Sequence, residues 1–243
     1  MIVSAKTDIG LKRSTNQDSF SYGQLEKGAV TWAVVCDGMG GMAAGNVASS
    51  SAVEIIAAAL EQNLSPKSSA SFVKNLLKTS IESANARVYD MALANEEMRG
   101  MGTTVVATVI VKGTAYFAHA GDSRAYLYSG GQLNQITKDH SIVQTLIEKG
   151  QLTEDEAKNH PNKNIITRAL GVASYIDIDF DERAVAEGDT VLLCTDGLTN
   201  SIDDELIMLA TSDNDFDSLA ERLVELANQN GGSDNITVGA VKN

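Results

Sequence analysis

The sequence predicts an α+β protein built on packed antiparallel sheets. Three observations lead there. Short apolar runs separated by glycine turns read as hairpins: residues 102–111 with 114–120 around Lys112-Gly113, and 124–128 with 132–136 around Ser129-Gly130-Gly131. Segments with three- and four-residue apolar spacing come in pairs instead of alternating with single strands. The 243 residues hold 20 glycines but two prolines, with no linker, repeat or low-complexity run, so residues 1–243 are expected to form one domain.

Two strands open the chain. The second, over 30–36, is an apolar run expected to stop in a turn at Asp37-Gly38. Beyond Gly45 the period changes. Val47, Ala48, Ala52, Ile55, Ile56, Ala59 and Leu60 line one face of a helix. Pro66 interrupts, and Phe72, Val73, Leu76, Leu77, Ile81, Ala84, Val88 and Met91 line a second, longer one. Both faces are expected to pack on the core. After the two hairpins, residues 141–149 and 153–159 read as short helices, the latter with a Thr153 cap ahead of Glu154-Asp155-Glu156. Asp177, Asp179 and Asp181 alternate along a solvated strand face. They fail as a calcium loop, since Glu182 and Gly188 stand where that loop needs Gly and Glu. Residues 190–195 read as a buried strand, 216–228 as a helix and 236–241 as a closing strand.

Charge narrows the function. Nineteen Lys+Arg against 32 Asp+Glu leave a formal charge of −13. That balance argues against phosphate-backbone binding and against a polybasic membrane contact, so neither nucleic acid nor membrane is expected as a partner. The longest apolar runs fall far short of the roughly 20 residues of a membrane helix, and the N-terminus shows no charged region ahead of an apolar core. Cys36 and Cys194 each close an apolar run and read as buried, reduced core residues. A cytoplasmic protein is expected.

One pattern recurs. Apolar runs end in Asp beside Gly or other small residues at Cys36-Asp37-Gly38-Met39-Gly40-Gly41, Ala120-Gly121-Asp122-Ser123-Arg124, Cys194-Thr195-Asp196-Gly197 and Gly232-Ser233-Asp234-Asn235, and a fifth Asp closes Arg13-Ser14-Thr15-Asn16-Gln17-Asp18. Each alone reads as turn chemistry. Converging on one place, they would need cations, because two unit charges about 6 Å apart repel by roughly 3 kcal/mol at an effective dielectric near 20. An all-oxygen set points to Mg²⁺ or Mn²⁺ rather than zinc. The histidines are weaker candidates: His119 reads as a core residue and His160 as a loop residue.

Arg13-x-x-Asn16-x-Asp18, Asp37-Gly38-Met39-Gly40-Gly41, Gly102-Thr103-Thr104, Gly121-Asp122-Ser123-Arg124, Asp196-Gly197 and residues 231–238 together resemble the metal-dependent type 2C (PPM) serine/threonine protein phosphatases, in their compact bacterial form. The resemblance spans Thr7 to Val241. It implies two antiparallel sheets packed face to face with a helix pair outside each (αββα). It also implies a centre of two Mn²⁺ or Mg²⁺ ions, with a third in bacterial members. Asp37 would bridge two metals, Asp196 and Asp234 would complete the first, and the Gly38 carbonyl would reach the second. Asp122 with Asp196 would hold the third. Asp18 would accept hydrogen bonds from metal-bound water, and Arg13 would bind the substrate phosphate. Residues 141–166 would form a mobile flap, with Asp139 and His140 anchoring its base.

The implied reaction is hydrolysis of phosphoserine or phosphothreonine by a water bridging two metals, with a bacterial Ser/Thr kinase and its substrates as partners. Alternatives are a phosphatase dedicated to one regulatory protein, of the anti-sigma-antagonist type, and a non-catalytic phosphoprotein-binding pseudophosphatase. Three positions depart from the family. Met39 stands where animal relatives carry a histidine proposed as general acid. Gln17 replaces a glutamate that helps hold waters of the second metal. Met42 stands where bacterial relatives usually have histidine.

Overall fold

A computed structural model of the chain describes residues 1–41, 44–213 and 215–243, so Met42 lies outside the described residues. In chain order the elements are β1 (Ile2–Asp8), β2 (Asp18–Leu25), β3 (Val30–Met39), α1 (Ala44–Asn63), α2 (Ala70–Ala94), β4 (Gly102–Thr103), β5 (Val105–Val111), β6 (Thr114–Ala120), β7 (Arg124–Ser129) and β8 (Gln132–Gln135). There follow α3 (Ile142–Glu148), α4 (Glu154–Lys158), β9 (Asp179–Ala184), β10 (Thr190–Cys194), α5 (Asp196–Thr199), α6 (Asp204–Thr211), α7 (Leu219–Gln229) and β11 (Ile236–Lys242). One antiparallel sheet has the order β1-β11-β10-β7-β8. The other runs β2-β3-β5-β6-β9, with β4 added beside β3.

Two-residue alternation sorts the apolar side chains into three layers. Along β3, Ala33 and Val35 face the other sheet, where they meet Leu127, Val191, Leu193 and Val241. Trp32, Val34 and Cys36 face outwards onto α1 and α2, among Ala52, Ile56, Leu77 and Ile81. On β10 the same rule sends Val191 and Leu193 inwards, while Leu192 and Cys194 turn out towards α5, α6 and α7. The αββα arrangement is thus the observed one. The two cysteines sit free in opposite outer layers, and burial pushes the Cys194 thiol up to about 12 and the Cys36 thiol higher still. Neither is a nucleophile at neutral pH.

The expected hairpin turns are present. Lys112 and Gly113 both take positive φ (53° and 71°), as do Gly130 and Gly131 (59° and 81°), the backbone that two-residue type I′ turns require. Thr153 caps α4 in a full capping box with Glu156.

Four details differ from the sequence reading. The strand expected to stop at Asp37 runs on to Met39, because Gly38 and Met39 pair with Thr103 and Gly102. The single run over 102–111 is split at Thr104, which turns both its amide and its hydroxyl to Asp37. Phe72, placed on a core face, is 43% exposed. Helices α5 and α6 carried too little apolar periodicity to be read. The signal that marked α6 was a cap: Asp203 accepts the Leu206 N–H, with Asp204 and Glu205 in the first turn.

Residues 141–166 leave the sandwich between β8 and β9 and return to it. Their ends are tied by a bridge between Ser141 and Ile166 and by bonds from Ile142 N to Ile165 O and Thr167 N to His140 O. Among the described residues, no helix is long and apolar enough to cross a membrane.

Candidate metal centre

In antiparallel sheets the end of one strand lies beside the start of its neighbour, which is why acids far apart in sequence share one edge. Asp37 stands near the end of β3 and Asp18 at the start of β2, directly opposite in register. Asp122 lies in the turn from β6 to β7, Asp196 just past β10, and Asp234 just before β11. Asp37, Asp122, Asp196 and Asp234, with Gly38 and Arg13, line a cavity of about 270 Å³ at that edge. Asp18 is buried outside the lining.

Four of the five acids are held by hydrogen bonds. The Asp37 N–H donates to Thr104 Oγ1 (2.9 Å), and its carbonyl accepts from Thr104 N (2.8 Å) and Thr103 Oγ1 (2.9 Å). Asp18 Oδ2 accepts from the Thr195 and Thr237 hydroxyls at 2.9 and 2.7 Å. Asp196 Oδ2 accepts from Asn200 Nδ2 (2.9 Å). Asp234 accepts from its neighbour's amide, Asn235 N (2.8 Å), and from Arg13 Nη2 (2.7 Å). Asn235 in turn ties down the loop that bears Arg13, donating to Ile9 O and Thr15 O and accepting from Gln17 N.

Burial and mutual repulsion act on these carboxyls together. Burial, then repulsion from Asp18 and the other acids, raises the Asp37 carboxyl well above its usual range. Burial raises Asp122 to about 8, with Asp196 the largest charge contribution, and raises Asp18 to about 7 against the pull of its two threonine bonds. Asp196 rises to about 6, from burial and then from Asp234. Arg13 only partly offsets this.

The donor set fits hard divalent cations. Asp18 Oδ1 and Asp196 Oδ1 are buried oxygens with no hydrogen-bond partner among the described residues, a costly arrangement unless something cationic or a bound water satisfies them. Gly38 is required by close approach: a Cβ there would collide with the carbonyl oxygens of Gly45 and Gln17. Gly38→Ala is therefore expected to destabilise the fold by about 1–3 kcal/mol, read as a fall in Tm in EDTA. An unchanged Tm would contradict the close approach.

Other predicted positions lie elsewhere. Met39 and Gln17 line the cavity, so the position expected for a general-acid histidine is a thioether. The His160 ring accepts the Asn162 N–H through Nδ1, in its loop. His119, read as core, is buried, and Asp179, read as a solvated strand residue, is half exposed but engaged: it contacts His140 and Arg168. His119, His140 and Asp179 bring ligand atoms within 4.8 Å of one another, a group able to hold one metal ion. Sequence reading missed this cluster because its members are 21 to 60 positions apart. A larger cavity of about 730 Å³ adjoins the first, sharing Asp122, Asn164 and Asp196 and extending between residues 141–164 and 196–205.

A two-sheet sandwich carrying a carboxylate cavity at one edge is suited to holding divalent cations. Comparison with known proteins makes the class specific. A family model described as Protein phosphatase 2C matches residues 12–237. The chain is 39% identical over 242 residues to protein phosphatase PhpP of Streptococcus pneumoniae, spanning 99% of this chain and 97% of that protein. Among solved structures, the S. agalactiae serine/threonine phosphatase superposes with a TM-score of 0.91 at 38% identity, covering 98% of each chain. The catalytic domain of the serine/threonine protein phosphatase PstP, in complex with 2 manganese ions, superposes with a TM-score of 0.85 at 34% identity, covering 99% of this chain and 97% of that one. The chain belongs to the protein phosphatase 2C family and is a metal-dependent serine/threonine phosphatase.

Proposed function

We propose that the protein hydrolyses phosphoserine and phosphothreonine in proteins with two Mn²⁺ or Mg²⁺ ions held by Asp37, Asp196, Asp234 and the Gly38 carbonyl, and a third held by Asp122 with Asp196. The observation that carries this reading is the convergence of five carboxyls at one sheet edge, two of them with buried oxygens lacking a partner among the described residues. PstP, similar in fold, is described with two manganese ions, which supports a dinuclear site here. When bound, such ions lower the pKa of a shared water towards neutrality and so supply the nucleophile.

The chain's own groups do the rest. Asp18 Oδ1, which has no hydrogen-bond partner among the described residues, would accept a hydrogen bond from a metal-bound water, while Thr195 and Thr237 hold the other oxygen fixed. Asp234 occupies one edge of the Arg13 guanidinium and leaves further N–H donors for two phosphate oxygens. Residues 141–166 act as a flap within a single 1–243 domain, their base held by Asp139 on Arg124 and by His140. The partner we infer is a Ser/Thr kinase whose phosphorylation the enzyme reverses in the cytoplasm, a reducing compartment that suits two free buried cysteines.

The test is direct. p-Nitrophenyl phosphate and a phosphothreonine peptide are incubated with Mn²⁺, with Mg²⁺ or with EDTA. Phosphate release that needs the metal is expected, and release unaffected by EDTA would overturn the proposal. Arg13→Ala is expected to raise KM for the phosphopeptide by about tenfold, the loss of a charge-assisted contact, with a smaller change in kcat. Unchanged kinetics would remove Arg13 from the site.

A further inference from the structure

The turn that presents Asp122 is gripped by the two residues that precede the 141–166 segment. Asp139 takes the Arg124 guanidinium through two bonds, Nε to Oδ1 at 2.9 Å and Nη2 to Oδ2 at 2.7 Å. His140 holds Gly121 in both directions: its N–H donates to Gly121 O (2.9 Å), and the Gly121 N–H donates to His140 Nδ1 (3.1 Å). An amide N–H can only donate, so Nδ1 carries the lone pair and the ring proton sits on Nε2. Nε2 lies 3.2 Å from Asp179 Oδ2, the acceptor this tautomer uses, and 3.0 Å from Arg168 Nη1, which can only donate and so makes no hydrogen bond with a protonated Nε2. Asp179 Oδ1 also accepts from Arg168 Nη1 (2.7 Å). His119 stacks on His140 with centroids 4.6 Å apart and donates from Nε2 to Lys138 O. Burial holds both imidazoles below their ordinary range, which favours the neutral ring that this bonding needs.

We propose that His140 is a positioning residue for Asp122: its Nδ1 fixes the Gly121 peptide, and so the direction in which the next residue offers its carboxylate to a cation. The inference rests on Asp122 being a metal ligand, as proposed above. It also gives the His119–His140–Asp179 group a role other than ligation. Both nitrogens of His140 are committed, one to a backbone amide and one to Asp179, and Arg168 already brings positive charge to that carboxylate. Outer partners of this kind commonly change metal affinity by about 10–100-fold when removed.

The experiment is calorimetric titration of Mn²⁺ into the wild type, His140→Leu, His140→Asn and Asp179→Ala, with kinetics at limiting Mn²⁺ and melting curves in EDTA to verify folding. Asn places a side-chain oxygen near the position of Nδ1, whereas Leu has a similar shape and no acceptor. His140→Leu is expected to weaken the weakest Mn²⁺ site about tenfold while sparing the tighter ones, and to lower kcat at limiting Mn²⁺ more than it changes KM. His140→Asn should recover most of both losses. Asp179→Ala, on an exposed edge strand away from Asp122, should shift the weakest site the same way by less. The proposal is overturned if Leu and Asn behave alike, or if His140→Leu leaves every site unchanged in an enzyme whose wild type binds Mn²⁺ and turns over. It is equally overturned if His140→Leu and Asp179→Ala each delete one whole binding event, which would make the cluster an ion site. A wild type that neither binds Mn²⁺ nor releases phosphate would overturn the phosphatase reading and this inference together.

Discussion

Asp37→Asn is expected to abolish metal-dependent phosphate release, by about three orders of magnitude or more, since metal catalysis is worth several kcal/mol. No other acid in the site is so placed. Its backbone is pinned on both sides by Thr103 and Thr104, it faces Asp18 across the β2–β3 ladder, and its carboxyl is raised by burial and by four neighbouring acids. Replacing it with the near-isosteric amide keeps the shape and removes the charge. The same substitution should raise the Tm of EDTA-treated protein, because it relieves a buried carboxylate of like-charge neighbours. Activity and metal-free stability should therefore move in opposite directions. Steady-state kinetics with saturating Mn²⁺ and a melt in EDTA check both, and a fall in both would mean that Asp37 is mainly structural.

A pH dependence of metal-free stability is the second large effect. Asp18, Asp122 and Asp196 carry folded values of about 7, 8 and 6, against an ordinary aspartate near 4. Between about pH 4 and 8 the folded chain therefore binds more protons than the unfolded chain. Stability then declines as pH rises through that window, by about 1.4 kcal/mol per pH unit for each group that holds its proton only in the folded chain. EDTA-treated protein should melt at a lower temperature at pH 8.5 than at pH 5.5, and Asp37→Asn should flatten the slope. Divalent ions compete with protons for the same oxygens, so the Tm rise produced by Mn²⁺ should be larger at pH 8.5 than at pH 6. A metal-free Tm that is level or increases over this range would contradict the convergence of these carboxyls.

Much of the site was visible in the chain because Asp37, Asp122 and Asp196 sit beside glycine or a small residue at the end of an apolar run, and Asp234 sits in a glycine-rich turn just before one. Strand ends and turn residues leave marks within four or five positions. The supports of those acids left none. Thr195 and Thr237 bond Asp18 from 177 and 219 positions away, and Asn235 holds backbone carbonyls at Ile9 and Thr15 over a similar span. Nothing local distinguishes these residues from other polar residues near strands. Asp179 shows the same limit: its alternation along β9 was legible, but its hold on His140 and Arg168 depends on where residues 140 and 168 return to the sheet edge.

The sequence by itself determined the layers and the chemistry. Two-residue alternation in β3 and β10 dictates which side chains face the other sheet and which face helices, and an all-oxygen acid set dictates a hard cation. Only the tertiary structure decided that these acids meet, that β3 continues through Asp37 to Met39, and that the turn bearing Asp122 is locked from behind by His140. The physical reason is range. Periodicity and turn chemistry act between neighbours in the chain, whereas a buried carboxylate is shifted by whatever the packing of two sheets brings next to it.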